Sequence, residues 1–275
     1  VDINETSTAV VIGGGSGVGR GIALGLAARG ASVVVADIDP DASKTVADEI
    51  QAKGGRAQSA VVDATDRDSL RQLAEQQEDV SILVNTAGAI VDRPLVESTD
   101  DEWGWITEFN VMSMLRSVQA FLPLLRANDG NAHIVLTSSS AGLLALGPEL
   151  VTIHNGLYTA TKHAVIGLAD MLRSELAPEG IGVSVLCPGL VAGNLGQTSA
   201  RNRPARFGGP LPAPQQKAMP ERAMPNEAVG PFVVAAIEHN RFYVFTHPEV
   251  RTMIEERHRA LMDDVDFYAA LVREG

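Results

Sequence analysis

Runs rich in Val, Ile, Leu and Ala recur at 8–13, 32–37, 57–62, 80–84, 132–138 and 181–187. They are continuous rather than alternating, the pattern of strands buried on both faces of a parallel sheet. Between them apolar positions return about every 3.6 residues, at 17–29, 41–53, 66–77, 101–127 and 157–177, which predicts helices. Strand and helix alternate throughout, so the chain reads as βαβ units with right-handed crossovers. The expected fold class is α/β: one doubly wound parallel sheet of about seven strands, helices on both faces, the last strand near 241–246.

Composition shifts once, at 193–225, where six prolines and four glycines accompany few apolar residues. A structureless segment of that length is uncommon in a compact domain, so it reads as a functional lid or a disordered insertion. From 248 onward, Val250, Ile254 and Leu261 set among Glu255, Glu256, Arg257 and Arg259 predict an amphipathic helix. All of 1–275 is expected to form one domain, with a substrate loop at 190–226 and a helical extension at 248–275.

A formal net charge of −12 gives a field that repels phosphate polymers and anionic lipid, so neither nucleic acid nor membrane is an expected partner. Residues 1–7 lack the basic-then-apolar order of a signal peptide, and no stretch has the length of an apolar span. With Cys187 alone, no intramolecular disulfide can form, which fits a reducing compartment, expected to be the cytoplasm. The histidines show no paired ligand spacing, so no metal is expected.

Chemistry concentrates at strand ends. After the first strand comes Gly13-Gly-Gly-Ser-Gly-Val-Gly19, opening a helix. Glycines allow close approach to a pyrophosphate, and the helix start offers free N–H groups and partial positive charge, with Ser16 and Val18 in the same turn. The second strand ends on Asp37, placed to accept hydrogen bonds from an adenosine ribose diol and to repel a 2′-phosphate. No Arg or Lys stands at Ser16, Ile38 or Asp39 to offset it, so the expected cofactor is NAD rather than NADP. Further on, Tyr158-Thr-Ala-Thr-Lys162 places a phenol and an ammonium one helical turn apart on the same face. The ammonium is expected to lower the phenol's pKa toward neutrality and to hold nicotinamide ribose hydroxyls.

These motifs, in this order and across nearly the whole chain, resemble the short-chain dehydrogenase/reductase family. The resemblance implies a Rossmann-type fold and aligns Gly13, Gly17 and Gly19 with the family's glycine motif. It makes Asp63, beside Ala64, the adenine-contacting acid, and Asn85-Thr86-Ala87-Gly88 the fourth-strand motif. Asn110 matches the asparagine that holds a water in the family's proton relay to Lys162. Of Ser138, Ser139 and Ser140, alignment on Ala141-Gly142 makes Ser139 the catalytic match, and Cys187-Pro188-Gly189 matches the turn beside the nicotinamide. Four catalytic residues are thus implied: Asn110, Ser139, Tyr158 and Lys162, the last two also binding cofactor. Cys187 reads as a core residue, having no adjacent base.

Three positions depart from the family pattern. Ile12 replaces the threonine before the first glycine, Thr86 replaces the second asparagine of the fourth-strand motif, and Gly193 replaces the threonine that holds the cofactor carboxamide. Asn194 or Thr198 is the expected substitute for the last. The apolar stretch 143–155, with Leu190, Leu195 and Phe207, is expected to line the substrate pocket and favours a bulky hydrophobic or aromatic alcohol. Arg201, Arg203 and Arg206 read either as carboxylate receptors at the pocket mouth or, with more weight, as a solvated loop. The stretch 242–248 and the helix after it are similar to a bacterial subgroup that includes aryl-alcohol Cα-dehydrogenases.

The resulting expectation is an NAD-dependent oxidoreductase interconverting a secondary alcohol and a ketone, assembled as a homodimer or homotetramer through the helices at 101–127 and 157–177. The alternatives are a 3-oxoacyl thioester reductase, disfavoured by Asp37 and the acidic balance, and a non-catalytic dinucleotide-binding protein, which would have no need to keep the proton relay.

Overall fold

In the computed structural model the chain is described for residues 1–145, 154–212 and 223–274. In chain order the elements are β1 (Thr8–Ile12), α1 (Gly17–Ala28), β2 (Ser32–Asp37), α2 (Pro40–Ala52), β3 (Arg56–Val61), α3 (Arg67–Glu75), β4 (Ile82–Asn85), α4 (Asp100–Thr107) and α5 (Ser113–Arg126). There follow β5 (Ala132–Thr137), α6 (Gly156–Leu176), β6 (Ile181–Cys187), α7 (Leu195–Arg201), α8 (Gly230–Glu238), β7 (Tyr243–Phe245) and α9 (Arg251–Glu274).

The seven strands form one parallel sheet in the order β3-β2-β1-β4-β5-β6-β7. The chain reverses its direction of travel across the sheet between β1 and β4, the place where α/β sheets open a crevice at their carboxyl ends. Strand side chains alternate between two cores. Val10, Ile12, Val34, Ile134 and Val183 face α3, α5 and α6, which contribute Leu70, Phe121 and Val165. Ala9, Val11, Val33, Val35 and Val135 face α1, α2 and α8, which contribute Ile22, Leu26, Val46 and Val233. The doubly wound reading therefore holds, because both faces of the central strands are apolar and each face is covered. The edge strand β3 differs: it pairs only with β2, and instead of being buried it leaves most residues open, Val61 at 62% exposure.

Two expected elements are corrected. The helix foreseen at 101–127 is broken by a π-helical turn at Glu108–Met112, which brings Asn110 inward. The segment at 193–225 is not structureless, since it forms α7 and a 3-10 turn at Ala205–Phe207, while 213–222 lies outside the described residues. The helix foreseen from 248 onward is present as α9, whose Arg257 Nη1 donates to the Leu143 carbonyl at 2.7 Å.

One buried group makes the sheet acid-sensitive. His133 on β5 is enclosed, its Nε2 2.7 Å from Ser184 Oγ, and burial pushes its pKa down to about 3. An unfolded imidazole titrates near 6.5, so between about pH 3 and 6.5 the unfolded chain binds more protons and stability falls as pH drops. Ser184 also donates to the Arg241 carbonyl at 2.7 Å, so its hydroxyl stays satisfied without the imidazole. A His133→Leu variant is therefore expected to lose less melting temperature than the parent between pH 7 and pH 5. Equal losses in thermal denaturation at the two pH values would contradict this.

Candidate active site

A cleft of about 330 Å³ opens at the carboxyl ends of the strands, over the β1/β4 switch. It is lined by the glycine turn after β1, by Asp37, Ile38 and Asp39 after β2, and by Thr137, Ser138 and Ser139 at the end of β5. Tyr158 and Lys162 from α6, Pro188 and Gly189 after β6, and a roof from 191 to 202 complete it. Three strand spacings separate the ends of β2 and β5, roughly 14 Å at about 4.8 Å each.

The glycine turn is built for close approach. Gly13 has φ +77°, and a Cβ on Gly19 would lie 2.1 Å from the Gly13 carbonyl oxygen, so neither position accepts an ordinary side chain. Ser16 begins α1 without capping it, leaving the first N–H groups of the helix open toward the cleft with Gly17 and Val18. Asp37 Oδ2 accepts from Gly15 N at 2.9 Å, so the same carboxylate that faces the cleft also fixes the turn. Thr86 Oγ1 lies 2.9 Å from the Ile12 carbonyl and 3.1 Å from that of Gly13, and its proton is shared between them. The two departures at 12 and 86 thus meet: Ile12 is buried in the core, and its carbonyl is bonded across the switch point by the Thr86 hydroxyl.

At the other end Lys162 is 2% exposed; its Nζ donates to the Thr137 carbonyl at 2.9 Å and sits 5.4 Å from the centre of the Tyr158 ring. Burial pulls its pKa down to about 8. Burial also raises the Tyr158 phenol, against a lowering contribution from the Ser139 hydroxyl. This corrects the expectation that Lys162 brings the phenol down. The ammonium stands 5.4 Å from the ring centre, and the cost of charging the partly buried oxygen dominates. The three serines separate cleanly: Ser138 Oγ is spent on the Lys162 carbonyl at 2.7 Å, Ser140 N bonds the Pro188 carbonyl, and Ser139 is the one whose hydroxyl acts on the phenol.

Three expected residues stand outside the cleft lining. Asn85 is buried and braces α5, donating to the Ser113 carbonyl and Ser117 Oγ while accepting from Ala87 N. Asn110 spends its amide on both backbone groups of Ala89 and on Thr161 Oγ1, tying the strand-end segment to α6 rather than touching Lys162. Asp63 Oδ1 is held by Thr65 N and Oγ1, and its neighbours Val62 and Ala64 line the cleft instead. Ala87 and Gly88 do line it, as do Pro188 and Gly189, the latter pinned by Thr246 and His247. Cys187 is buried with its thiol raised to about 12, a core residue.

Beside Ser139 and Tyr158 the cleft wall is Ala89, Trp105, Phe109 and Leu195. Trp105 and Phe109 carried no signal beyond a helical apolar period, and only the capping box of Thr99 and Glu102 marked where their helix starts. Leu190 is outside the lining, Phe207 packs behind Trp105 on Gly104, Leu144 is in the core, and 146–153 lies outside the described residues. Neither of the two readings of the three arginines holds for all of them. Arg203 is buried over the Trp105 ring, Arg206 lies over Phe207 and 3.8 Å from Glu108, and Arg201 reaches Asp39 at 3.2 Å. Asn194 and Thr198 both line the cleft; Thr198 Oγ1 is taken up within α7, whereas Asn194 makes no capping bond.

A family model described as short chain dehydrogenase matches residues 7–204. The chain belongs to the short-chain dehydrogenase/reductase family, a class of oxidoreductases. It is 30% identical over 272 residues to a C alpha-dehydrogenase of Sphingobium sp., covering 95% of this chain and 87% of the relative. It is 31% identical over 267 residues to a 1-deoxy-11-beta-hydroxypentalenate dehydrogenase of Streptomyces exfoliatus, covering 95% and 89%. Among solved structures, a short-chain dehydrogenase/reductase of Burkholderia phymatum in complex with NAD superposes with a TM-score of 0.82 at 29% identity, over 96% of each chain.

The Thr86 brace is directly testable. Thr86→Val removes one shared hydrogen bond, for a cost of about 1 kcal/mol. That corresponds to a melting temperature lower by roughly 2–4 °C in a chain of this size. An unchanged melting temperature would show that the hydroxyl does not hold the turn.

Proposed function

We propose that the protein is an NAD-dependent oxidoreductase of secondary alcohols and ketones with bulky hydrophobic or aromatic substituents. The observation that carries this is the convergence of Ser139, Tyr158 and Lys162 on one cleft whose other end is a glycine turn and an acid. The cleft fits a dinucleotide. The Cβ-excluding turn and open helix start suit a pyrophosphate, and Asp37 suits an unphosphorylated adenosine ribose. Lys162 would hold the nicotinamide ribose, and Asn194, whose side chain does not cap α7, would hold the carboxamide in place of Gly193. When bound, the nicotinamide supplies the hydride acceptor or donor at its C4.

The chain's own residues handle the proton. In alcohol oxidation Tyr158, as phenolate, takes the hydroxyl proton as the carbinol hydrogen departs with its electron pair. In ketone reduction it returns that proton to the carbonyl oxygen. Ser139 donates to the same oxygen as negative charge develops on it. The buried Lys162 cation favours the phenolate once its ammonium is shared with ribose hydroxyls rather than with Thr137 alone. Asn110 acts indirectly, fixing Ala89 and Thr161 around Lys162. Trp105, Phe109 and Leu195 supply the apolar wall for the substrate, and the relatives named for C alpha and hydroxypentalenate dehydrogenation support a substrate of that bulk.

Tyr158→Phe is expected to lower turnover of a 1-aryl alcohol with NAD by about 10²–10⁴-fold while NAD still binds, as read by titration of intrinsic fluorescence. Near-normal turnover in that variant would overturn the assignment. Lys162 offers a second measurement. Its pKa of about 8 lies below the unfolded value of 10.5, so its buried charge destabilises the fold below about pH 8 and ceases to do so as pH approaches 10.5. Lys162→Met is therefore expected to abolish turnover yet melt higher than the parent at pH 7, the gain shrinking at alkaline pH. A lower melting temperature at pH 7 would contradict the buried-charge reading.

A further inference from the structure

The cations lining the cleft, among the described residues, are Lys162 at the catalytic end and Arg201 on the roof. Arg201 is separated from Asp39 by 162 positions along the chain, yet its Nη2 stands 3.2 Å from Asp39 Oδ2. The contact is positioned from both sides. Asp39 is held because its other oxygen, Oδ1, caps α2 by accepting from Asp41 N and Ala42 N. Arg201 is held because α7 is anchored at Ser199, whose Oγ accepts from Ile90 N at 2.9 Å, and because Gly193 rests over Gly17 at the start of the roof. Asp37 shares this end of the cleft, its Oδ1 accepting from Asp39 N at 3.1 Å. One guanidinium and two carboxylates therefore surround the place where an adenosine ribose would lie.

We propose, resting on the dinucleotide reading above, that Arg201 is a specificity-determining residue for the adenosine 2′ position. Paired with Asp39, it is withheld from the ligand, and Asp37 excludes a 2′-phosphate. Released from Asp39, it is the group that receives one. Discrimination between NAD and NADP is then set by competition between Asp39 and phosphate for a single guanidinium, not by Asp37 alone. The pair suits such a competition: Arg201 is 61% exposed, exposed ion pairs are weak, and a guanidinium binds phosphate through two parallel hydrogen bonds.

The test is the ratio of the NADP to the NAD dissociation constant, measured by calorimetry on the full-length protein without turnover. Asp39→Asn keeps an N-cap of equal quality for α2 and frees Arg201. It is expected to shift the ratio tenfold or more toward NADP. In the double variant Asp39→Asn/Arg201→Gln the shift is expected to fall below threefold, because mere removal of a negative charge is not its source. Arg201→Gln alone, an exposed substitution that leaves the fold intact, is expected to move the ratio away from NADP. An Asp39→Asn shift of the same size with and without Arg201, or no shift at all, overturns the proposal. Failure of the parent protein to bind either nucleotide overturns the dinucleotide reading itself, a distinct result.

Discussion

An ammonium buried over a phenol is the constraint on which the rest of the site depends. Lys162 is almost fully enclosed, has one carbonyl acceptor in Thr137, and among the described residues carries no acid beside it. A cation in that setting costs stability, and nothing in the packing of the two apolar cores requires it. Its surroundings are arranged to keep it there. Ser138 clamps the Lys162 carbonyl, Asn110 grips Thr161 one residue before it, and the tight Gly142 turn packs against the same stretch of α6. The phenol, one turn earlier, is half-buried beside Ser139 and is raised rather than lowered. Burial thus biases both groups toward their neutral forms, and in the function proposed the proton transfer depends on what binds beside them.

The glycine-turn stretch of the cleft is governed by backbone, with side-chain charge gathered beyond it at Asp37, Asp39 and Arg201. The glycine turn excludes every Cβ that would fill the pyrophosphate position, and Thr86 and Asp37 hold that turn from neighbouring strands. Roof and floor meet over it, through Gly193 above Gly17 and through Ser199 on the backbone after β4. The catalytic end and the adenosine end are therefore coupled by one short helix, α7, which carries Leu195 toward the substrate wall and Arg201 toward Asp39.

Much of this was legible in the residues. Buried parallel strands announce themselves as unbroken apolar runs, and all seven strands lie within about two residues of the ranges the sequence predicts. Position-bound motifs such as Gly13 to Gly19 and Tyr158 with Lys162 are readable because the local backbone fixes their geometry. What escaped was whatever depends on long-range contact. The break at Glu108–Met112 follows from Asn110 bonding Ala89, a partner no helical period reveals. The prolines and glycines of 193–225 concealed α7, whose seven residues are stabilised by Ser199 and Ile90 rather than by their own periodicity. The sequence neighbours of Asp37 carry no cation, and Arg201 arrives from the far side of the chain. The spacing of Tyr158 and Lys162 shows that a cation is near the phenol but not how far burial shifts either group.

The most direct test of the central claim is a crystal structure of the complex with NAD. The account predicts that the nicotinamide ribose hydroxyls lie within hydrogen-bonding distance of Lys162 Nζ, with the ring C4 facing the space between the Ser139 and Tyr158 hydroxyls. A nicotinamide bound away from that space, with Lys162 still bonded only to the Thr137 carbonyl, would contradict it.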